Sequence, residues 1–474
     1  MRAEGAYVLY WMIAARRTSW SFALQHAVAL ARELGKPLIV LEALGCGYAH
    51  ASDRLHRFVV EGMACNSARV RRSGSAIYYP YVEPGPGAGR GMVETLASSA
   101  CAVVTDEFPS FFLPRMVDRI APRLPVRLDQ VDSCGLLPLR AAPEAFTTAH
   151  AFRRFLHKNL LRHLECLPEE DPLGQAGLPL LEGLPEEVTA RWPAADPGAL
   201  LDAPSGFDSI PIDHGVEPVQ LVGGSDEGEA RLEGFLRNRL SSYCELRNAP
   251  DEEGTSGLSP WIHFGHVSVH AIVRAILERE DWTPERVGGA AAGKREGWWG
   301  LSADAEAFLD QVVTWREVGF NMAWHRADHD RYESLPGWAR QTLREHAGDR
   351  RQHLYGIEEL ENARTHDGLW NAAQRQLVRE GRMHNYLRML WGKKILEWSV
   401  SPQEAMRAMI HLNDKYALDG RDPNSYNGIG WVLGRYDRAW GPERPVFGKI
   451  RYMSSDNTRR KLPVEEYLGR YGRL

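Results

Sequence analysis

The sequence Tyr7-Val-Leu-Tyr-Trp-Met12 is a short apolar run, and a second one, Pro37-Leu-Ile-Val-Leu-Glu-Ala-Leu44, follows it after a helical pattern over residues 19–34. Both runs are rich in aliphatic and aromatic side chains, which favour buried strands. The alternation continues with strand patterns at residues 76–82, 102–106 and 126–132 and helical patterns at residues 51–72, 91–99 and 111–120. Strands that alternate with helices predict a Rossmann-like α/β domain with a parallel sheet over residues 1–136. Its ligand crevice is expected at the carboxyl ends of the strands.

The rest of the chain divides into a poorly patterned segment and a helical one. Residues 137–229 are rich in Pro, Gly and acidic residues and predict an interdomain linker with a few helical pieces. Residues 230–474 have helical periodicity almost throughout and predict a larger all-α domain. Its helices are expected at residues 231–246, 267–279, 303–323, 336–345, 357–362, 371–380, 383–398 and 402–412, followed by a long polar loop at residues 412–431.

Composition and charge exclude several classes of protein. With 474 residues, 44% of them hydrophobic and 25% charged, the chain is globular and long enough for two domains. Its net charge of -5 means that any nucleic acid must bind a local basic face. The 6 cysteines are scattered without a C-x-x-C pair, which argues against a zinc knuckle or a disulfide framework and favours the cytoplasm. The apolar residues 6–15 are too few to span a bilayer, so we expect no signal peptide and no membrane anchor.

Two further patterns carry little weight. The run from Gly85 to Gly91 is similar to a dinucleotide fingerprint, but it follows the third strand and lacks an acidic partner, so we interpret it as an ordinary loop. His325 and His329 are four residues apart with Asp328 between them, a spacing that suits zinc. Because no third ligand accompanies them, we interpret them as the end of a surface helix and expect no metal.

Four clusters in the helical part combine turn residues, polar side chains and tryptophans. The first is Tyr243-Cys-Glu-Leu-Arg247-Asn248 followed by Thr255-Ser-Gly-Leu-Ser-Pro-Trp-Ile-His-Phe-Gly265. Hydroxyls and backbone N–H groups at such a helix start suit a diphosphate. A serine before a proline is also an ordinary way to begin a helix.

The other three clusters place charged and amide side chains beside tryptophans. They are Trp315-Arg-Glu-Val-Gly-Phe-Asn321, Trp370-Asn371 with Met383-His-Asn-Tyr-Leu-Arg-Met-Leu-Trp391, and Leu412-Asn-Asp-Lys-Tyr-Ala-Leu-Asp-Gly-Arg-Asp-Pro-Asn424. In the cluster that contains Met383–Trp391, the residues Asn385, Arg388 and Met389 share one helical face. A buried arginine on that face needs a carboxylate partner, and Asp419 is the candidate.

Taken together, these motifs resemble the photolyase/cryptochrome family, and in their detailed form the class II cyclobutane pyrimidine dimer photolyases. Two more matching motifs are Lys393-Lys-Ile-Leu-Glu-Trp398 and Arg444-Pro-Val-Phe-Gly-Lys-Ile-Arg-Tyr-Met453. The resemblance is dense from Tyr243 to the C-terminus and looser in the α/β domain. It implies a helical domain that binds FAD, in the reduced form FADH⁻ when active, and light-driven repair of pyrimidine dimers in UV-damaged DNA. It also implies a monomer with no obligate protein partner.

The resemblance assigns roles in the cofactor site residue by residue. The flavin phosphates would be held by Tyr243, Thr255, Ser256, Gly257, Leu258 and Ser259. The pocket would be lined by Arg316, Asn321 and Asn385, with an Arg388–Asp419 salt bridge over the isoalloxazine and Asn413 facing the flavin N5. An amide at N5 adds no negative charge beside an anionic reduced flavin. Electron transfer would run through Trp391, Trp370 and Trp398, in that order from the flavin outward.

The resemblance also implies a pocket for a flipped-out dimer. Its residues would be Arg247, Asn248, Trp315, Met389, Trp431, Asp437 and Arg451. Aromatic walls suit splayed bases, and flipping costs less at a lesion whose pairing is already weak. A basic stretch near the C-terminus would contact phosphates, and its members are Lys449, Arg451, Arg459, Arg460 and Lys461.

Three features depart from the family pattern. Gln311 stands where the family has a glutamate that contacts the dimer, and because a glutamine supplies neither a proton nor a negative charge, we expect slower repair. The interval from Trp431 to Asp437 is shorter than in typical members. The segment after Met12 lacks the usual acidic residues, which leaves open whether the α/β domain binds a second, antenna chromophore and which one.

Three alternatives stay open on sequence alone. A cryptochrome-like blue-light photoreceptor without repair activity is favoured by Gln311 and opposed by Asn413 and Met389. A photolyase for (6-4) photoproducts would ordinarily require an acid–base histidine in the pocket, and His263 and His384 both match ordinary class II positions instead. An unrelated nucleotide-binding enzyme is the third alternative.

Overall fold

A five-stranded parallel sheet organises the N-terminal part of the computed structural model, which describes residue 2 and residues 4–174, 176–203 and 206–472. Its strands are β1 (Tyr7–Met12), β2 (Leu38–Leu44), β3 (Ile77–Val82), β4 (Ala100–Glu107) and β5 (Leu128–Asp132). They are arranged in the order β3-β2-β1-β4-β5. All neighbours are parallel, so the predicted Rossmann-like sheet is confirmed, with its strand order reversing between β1 and β4.

Burial on both faces explains why the strands have continuous apolar sequences. Every residue of β1 is buried. Successive side chains point to opposite faces, so Val8 and Tyr10 join one core cluster, while Leu9 and Trp11 join the other. A strand covered by helices on both faces cannot alternate apolar and polar residues.

Helices make up most of the remaining structure. The first twelve are α1 (Phe22–Leu34), α2 (Asp53–Ser73), α3 (Met92–Ser99), α4 (Leu113–Ile120), α5 (Ala149–Asn159), α6 (Leu161–Leu164), α7 (Glu186–Arg191), α8 (Pro197–Asp202), α9 (Ser225–Asn238), α10 (Tyr243–Leu246), α11 (Ser259–His263) and α12 (Val269–Arg279). The others are α13 (Ala303–Leu309), α14 (Arg316–His325), α15 (Gly337–Glu345), α16 (Ile357–Glu361), α17 (Gly368–Glu380), α18 (Asn385–Trp398), α19 (Pro402–Tyr416), α20 (Pro423–Val432), α21 (Ser455–Lys461) and α22 (Glu465–Tyr471). In the part of the chain described, none is long and apolar enough to cross a bilayer.

The chain divides into two compact units. The first comprises Met1–Leu139, Arg162–Glu233 and Leu258–Ile276, and the second comprises Arg140–Leu161, Gly234–Gly257 and Leu277–Leu474. The segment predicted as a linker, residues 137–229, thus contributes to both units, and it supplies α5 to the second.

The helix predicted over residues 231–246 is divided into α9 and α10. Two further predicted elements of the helical part also differ from the structure. The single helix expected over residues 303–323 is interrupted by a π-helical turn, Asp310–Trp315, between α13 and α14. The long loop expected over residues 412–431 is wrong, because α20 occupies its second half. Asp422 caps α20 by accepting from the Asn424 N–H, and Pro423 fits the first turn, so the Asp-Pro pair was the overlooked start signal.

The glycine-rich run 85–91 closes around a carboxylate of the protein itself. Glu83, directly after β3, accepts hydrogen bonds from the backbone N–H groups of Gly87 (2.9 Å) and Gly89 (3.0 Å). It also accepts from the N–H of Cys46, at 3.1 Å. Because Glu83 occupies these donors, the structure agrees with an ordinary loop and not with a phosphate cradle.

Asp106 fixes the turn that leaves β1. This side chain, near the carboxyl end of β4, is almost fully buried. It accepts from the Tyr10 hydroxyl (2.7 Å) and from the N–H groups of Ile13 (2.8 Å), Ala14 (2.8 Å) and Ala15 (3.0 Å). Four donors therefore depend on one carboxylate.

We expect Asp106→Ala to lower the free energy of unfolding by about 3 kcal/mol, because buried donors lose their acceptor. The matched control is Asp118→Ala, at an exposed position of α4, which should change it by less than about 0.5 kcal/mol. Urea denaturation of the full chain, followed by circular dichroism, measures both. Equal stability of the two variants would show that the carboxylate does not hold the turn.

Candidate functional site

Three tryptophans form a buried cluster between α17 and α18. Trp370, Trp391 and Trp398 are 0%, 3% and 2% exposed. The Trp370 indole N–H donates to the backbone carbonyl of Trp391 at 3.0 Å. The rings of Trp370 and Trp398 lie 5.6 Å apart at an angle of 69°. Trp370 therefore contacts both of the others, as the order along the predicted electron path requires.

The cluster continues at both ends into residues that the sequence did not single out. The Trp391 indole N–H donates to the Gln374 side-chain oxygen at 2.9 Å. At the other end, the Trp398 ring contacts Tyr355 and His366, each at 5.3 Å between ring centroids. His366 is exposed, so ring contacts extend from Trp370 through Trp398 to the protein surface. Gln374 ends the motif Leu369-Trp-Asn-Ala-Ala-Gln374 without a predicted role, whereas Tyr355 and His366 come from a loop distant in sequence that no local motif marks.

Arg388 and Asp419 form an ion pair at the start of α18. An Arg388 guanidinium nitrogen, Nη2, lies 3.0 Å from Asp419 Oδ1, and both of its terminal nitrogens bond the carboxylate. The two side chains are 26% and 14% exposed, so the pair is partly screened from water. Asn385, one turn earlier, is exposed. Whether these three residues face a flavin stays a prediction.

Asn413 belongs to a buried polar network at the end of α19. Its amide nitrogen donates to Ser425 Oγ at 2.8 Å and to Asp414 Oδ1 at 3.0 Å. Asp414 also accepts from the Tyr426 hydroxyl and the Arg421 N–H. Burial raises the pKa of Asp414. Because the amide nitrogen is engaged, the group that Asn413 offers elsewhere is its oxygen.

The segment predicted to hold phosphates is a tight turn. Tyr243 is buried beneath the Arg247 guanidinium, 5.6 Å from its ring centroid, and burial raises the pKa of Tyr243 to about 12. Arg239 donates to the Thr255 carbonyl at 3.2 Å, and Gly257 has a φ of +63°. Of the remaining residues, Ser256 is half-buried, the Leu258 side chain is buried, and Ser259 is exposed as the first residue of α11.

Arg316 and Asn321, both predicted to line the cofactor pocket, make different kinds of contact. Arg316 is buried and lies 4.1 Å from the Phe320 ring centroid. Asn321 is also buried, but its amide oxygen accepts from the Phe146 N–H at 2.9 Å and its nitrogen donates to the Glu144 carbonyl at 3.0 Å. Both ends of this amide therefore hold the backbone that precedes α5, which is a different task from lining a pocket.

Two predicted lesion-pocket tryptophans are brought together. Trp315 and Trp431 are half-buried, and their rings stack at 4.6 Å with an angle of 13°. Gln311 lies in the same π-turn as Trp315, is half-buried, and makes no side-chain hydrogen bond to the residues described. Met389 is half-buried and Asn248 is exposed.

Asp437 and Arg451 meet at a residue that the sequence did not indicate, Trp440. The Trp440 indole N–H donates to Asp437 Oδ1 at 2.9 Å. The Arg451 guanidinium lies 5.3 Å from the Trp440 ring centroid, and Arg451 is exposed. In the loop of residues 437–452, the Trp440 ring therefore contacts both a carboxylate and a basic side chain.

His346 anchors this loop to the end of α15. Its Nδ1 lies 2.7 Å from Asp349 Oδ2, and its Nε2 lies 3.3 Å from Glu443 Oε2. Asp349 also accepts from the Val446 N–H, while Lys449 pairs with Glu443 at 3.2 Å. Hydrogen bonding to Asp349 and then to Glu443 raises the pKa of His346 above its usual 6.5.

The residues with zinc-like spacing are engaged elsewhere. His325 Nε2 bonds the Ala142 carbonyl, Asp328 pairs with Arg326 at 2.8 Å, and His329 Nδ1 bonds the Arg326 carbonyl. Burial lowers the pKa of His329. In the described residues, no group of three or more His, Cys, Asp or Glu side chains is placed to hold a metal ion.

Comparison with known proteins gives a consistent result. No protein-family model matches the chain. The deoxyribodipyrimidine photo-lyase of Methanothermobacter thermautotrophicus is 33% identical over 469 residues, which cover 98% of this chain and 95% of that protein. The one from Oryza sativa subsp. japonica is 34% identical over 488 residues, covering 99% and 88%.

Two solved structures share the fold at low sequence identity. A bacterial class III photolyase from Agrobacterium tumefaciens gives a TM-score of 0.70 at 16% identity and covers 98% of this chain and 86% of its own. A cryptochrome from Synechocystis gives 0.66 at 14% identity, with coverages of 98% and 88%. The predicted fold class, an α/β domain followed by a helical domain, is confirmed.

The His346 bridge should stabilise the protein in a defined pH range. Because the folded pKa of His346 is raised, its contribution is complete below the unfolded value of 6.5 and is lost as the pH rises through the folded value. The pKa values of Asp349 and Glu443 are lowered, so their contribution is lost only as the pH falls below their usual values of 3.8 and 4.5.

We therefore expect His346→Asn to destabilise the protein at about pH 5.5 and to have little effect at about pH 9. Urea unfolding at both values measures this difference. His150→Asn, at an exposed position of α5, is the control and should show no such pH dependence. An equal deficit at both pH values would contradict a charge-dependent bridge.

Proposed function

The chain belongs to the deoxyribodipyrimidine photo-lyases, enzymes of the photolyase/cryptochrome family, and we propose that it repairs UV-damaged DNA by splitting cyclobutane pyrimidine dimers in the light. One observation carries the proposal. On α18, Arg388 forms its ion pair with Asp419, and Trp391, three residues further along, joins the buried contacts of Trp370 and Trp398. A charged anchor for a cofactor and an aromatic path to it thus share one helix.

The cofactor that we propose is FAD, and unpartnered polar atoms in the second compact unit fit such a ligand. Both ring nitrogens of His384, next to Asn385, are buried without a hydrogen-bond partner among the described residues. The same holds for Arg247 Nε and Asn427 Oδ1. Buried polar atoms ordinarily have partners, so these positions suit a polar ligand with phosphate, ribose and ring groups. When bound and reduced, FAD supplies the excited electron that splits the dimer.

Each protein residue near the cofactor has a distinct task. Arg388 supplies a positive charge that Asp419 holds in place, and the carboxylate keeps the net charge of the pair near zero. Asn413 would offer its neutral amide oxygen to the flavin and so would add no negative charge beside a reduced flavin. Tyr243 and the turn of residues 255–259 bind the phosphates, and Arg316 and Asn385 complete the pocket. Asn321 acts indirectly, by holding the backbone at Glu144 and Phe146.

We assign electron transfer to Trp391, Trp370 and Trp398. The acceptors of the first two indole N–H groups are a side-chain amide and a backbone carbonyl. Neither acceptor takes up a proton near neutral pH, so both indoles keep their N–H protons.

The lesion is bound between aromatic walls and a basic rim. Trp315 and Trp431 present ring faces to splayed bases, and Met389 adds a flexible apolar contact. Gln311, without a partner in the protein, donates an amide N–H to a pyrimidine carbonyl but supplies no charge. Arg247, Asn248, Asp437 and Arg451 contact the dimer or the backbone beside it.

A second candidate function is that of a blue-light photoreceptor of the cryptochrome type. The observation that favours it is Gln311, which removes a carboxylate from the pocket. Under this alternative the protein binds FAD and responds to light without splitting dimers.

Recovery of thymine absorbance from a dimer-containing oligonucleotide distinguishes these functions. Reduced protein is incubated with the oligonucleotide under blue light, with a dark sample as control. We expect recovery only in the light. Absence of recovery, with FAD bound and photoreducible, would overturn the repair proposal in favour of the photoreceptor.

The same assay tests the glutamine in the pocket. We expect Gln311→Glu to speed repair roughly threefold to tenfold, since a protonated carboxyl group donates a stronger hydrogen bond to a pyrimidine carbonyl and a charged one accepts a stronger bond from a pyrimidine N–H.

The electron path is tested by Trp391→Phe. We expect this variant to lose photoreduction of oxidised FAD, because phenylalanine is much harder to oxidise, while repair by chemically reduced protein persists. Trp192→Phe is the control, since Trp192 is equally buried but belongs to the first compact unit. Flavin absorbance under illumination with an external reductant measures the rates. Normal photoreduction by Trp391→Phe would show that electrons take another route.

A further inference from the structure

We propose that Asp310 and Arg153 are positioning residues that fix Trp315 as a wall of the lesion pocket and occupy its indole N–H, so that this wall recognises a base by its ring face alone. This inference rests on the proposed function, which makes Trp315 a contact to the dimer. Asp310 belongs to the sequence cluster around Trp315 but had no predicted role, and Arg153 lies in the segment predicted as a linker.

The geometry is a three-membered contact inside the second compact unit. Arg153 Nε lies 2.9 Å from Asp310 Oδ1, and Arg153 Nη2 lies 3.2 Å from Asp310 Oδ2. The side chains are 4% and 9% exposed. The Trp315 indole N–H donates to the same Oδ2 at 3.1 Å. Asp310 Oδ1 therefore accepts from Arg153 alone, whereas Asp310 Oδ2 accepts from both Arg153 and Trp315.

The π-helical turn makes this contact possible. In an α-helix, residues five apart point about 140° away from each other, so a side chain at position 310 could not reach one at position 315 on the same face. A π-turn is closed by bonds between residues five apart, which brings such side chains to the same side. The turn Asp310–Trp315 is π-helical, and its first and last residues are the two that bond.

A second set of contacts holds Arg153 in place. Its helix, α5, follows the backbone that Asn321 grips at Glu144 and Phe146. Arg153 Nη1 also donates to the Gly293 carbonyl at 3.4 Å. Contacts from α14 and from the loop before α13 thus fix the position of the guanidinium. The guanidinium in turn orients the Asp310 carboxylate, which orients the Trp315 indole.

Stability alone does not account for this arrangement. A buried ion pair is costly to desolvate, and its replacement by apolar side chains is often neutral or stabilising. What the pair gives Trp315 is a fixed direction for the indole N–H, and with it the nearly parallel stack on Trp431. With its only donor engaged, Trp315 cannot bond a base edge, so the wall selects for shape and ring stacking.

The experiment compares two nearly isosteric replacements in a background without either charge. Asp310→Asn with Arg153→Met keeps an oxygen for the indole N–H, whereas Asp310→Leu with Arg153→Met removes it. We measure the exciton couplet of the stacked indoles by circular dichroism, with Trp315→Phe as the reference for its loss. We also measure dark binding to a dimer-containing oligonucleotide and to the same oligonucleotide without the dimer.

We expect the Asn variant to keep the couplet and its dimer affinity. The Leu variant should lose the couplet and bind the dimer about fivefold more weakly, with unchanged binding to undamaged DNA. Adding the Leu replacement to Trp315→Phe should then cause no further loss, because the effect acts through Trp315. Equal behaviour of the Asn and Leu variants, or the same loss in the Trp315→Phe background, would overturn the proposal.

Two further results keep the test decisive. If the Arg153→Met background does not fold, Trp315 is replaced by 3-benzothienylalanine, which keeps the ring shape but has no N–H. Because benzothiophene absorbs differently from indole, only dimer affinity is compared for that variant: wild-type affinity would overturn the proposal, and its loss would support it. If the wild-type protein shows no preference for the dimer, the proposed function fails, while the couplet still decides whether Asp310 orients Trp315.

Discussion

Hydrogen bonding of buried polar groups is the constraint on which the functional parts of this structure depend. A polar group removed from water must be bonded, so one buried acceptor can fix several donors at once. Asp106 does so for the turn after β1, Asp414 for Asn413 and Tyr426, and Asp310 for Arg153 and Trp315. In each case one buried carboxylate accepts hydrogen bonds from several donors, and these bonds fix the direction of the neighbouring side chain or backbone.

The same constraint applies within each of the two compact units. In the first, backbone donors that could bind a phosphate are already bonded, as Glu83 shows at Gly87 and Gly89. In the second, buried polar atoms of His384 and Arg247 lack a partner within the described chain. Because an unbonded buried group costs free energy, such positions mark where a ligand contributes what the protein does not. The first unit also has such atoms, on Asn66 and His266, so the proposed chemistry is assigned to the second unit by its Arg388–Asp419 ion pair and its tryptophan contacts.

The sequence predicted the sheet and most helices because their signals are local. Five apolar runs with helices between them leave few alternatives to a parallel sheet, and the Arg388–Asp419 pair followed from one helical face. The π-turn could not be predicted, since an α-helical spacing places residues 310 and 315 on different faces. The contacts of Gln374 with Trp391 and of Arg153 with Asp310 were missed for a related reason, because each is made only through tertiary packing. The helix α20 was missed because its many Asn and Gly residues outweighed the Asp-Pro start signal.

Burial also favours outward movement of a positive charge along the three tryptophans that we propose for electron transfer. A positive charge on an indole is costly deep inside the protein, where few dipoles can reorient around it. Trp391 and Trp370 keep their N–H protons, so a charge there cannot be removed by proton loss and is favoured to move outward. Trp398, the next ring, contacts the exposed His366, where water begins to solvate charge. The nearby Lys394 would oppose this, at 5.6 Å from the Trp398 ring, but Glu397 pairs with it at 2.8 Å and offsets its charge. The gradient from a dry interior to a solvated surface would thus separate the charge from the proposed cofactor site, with neither Trp391 nor Trp370 bonded to an acid or base.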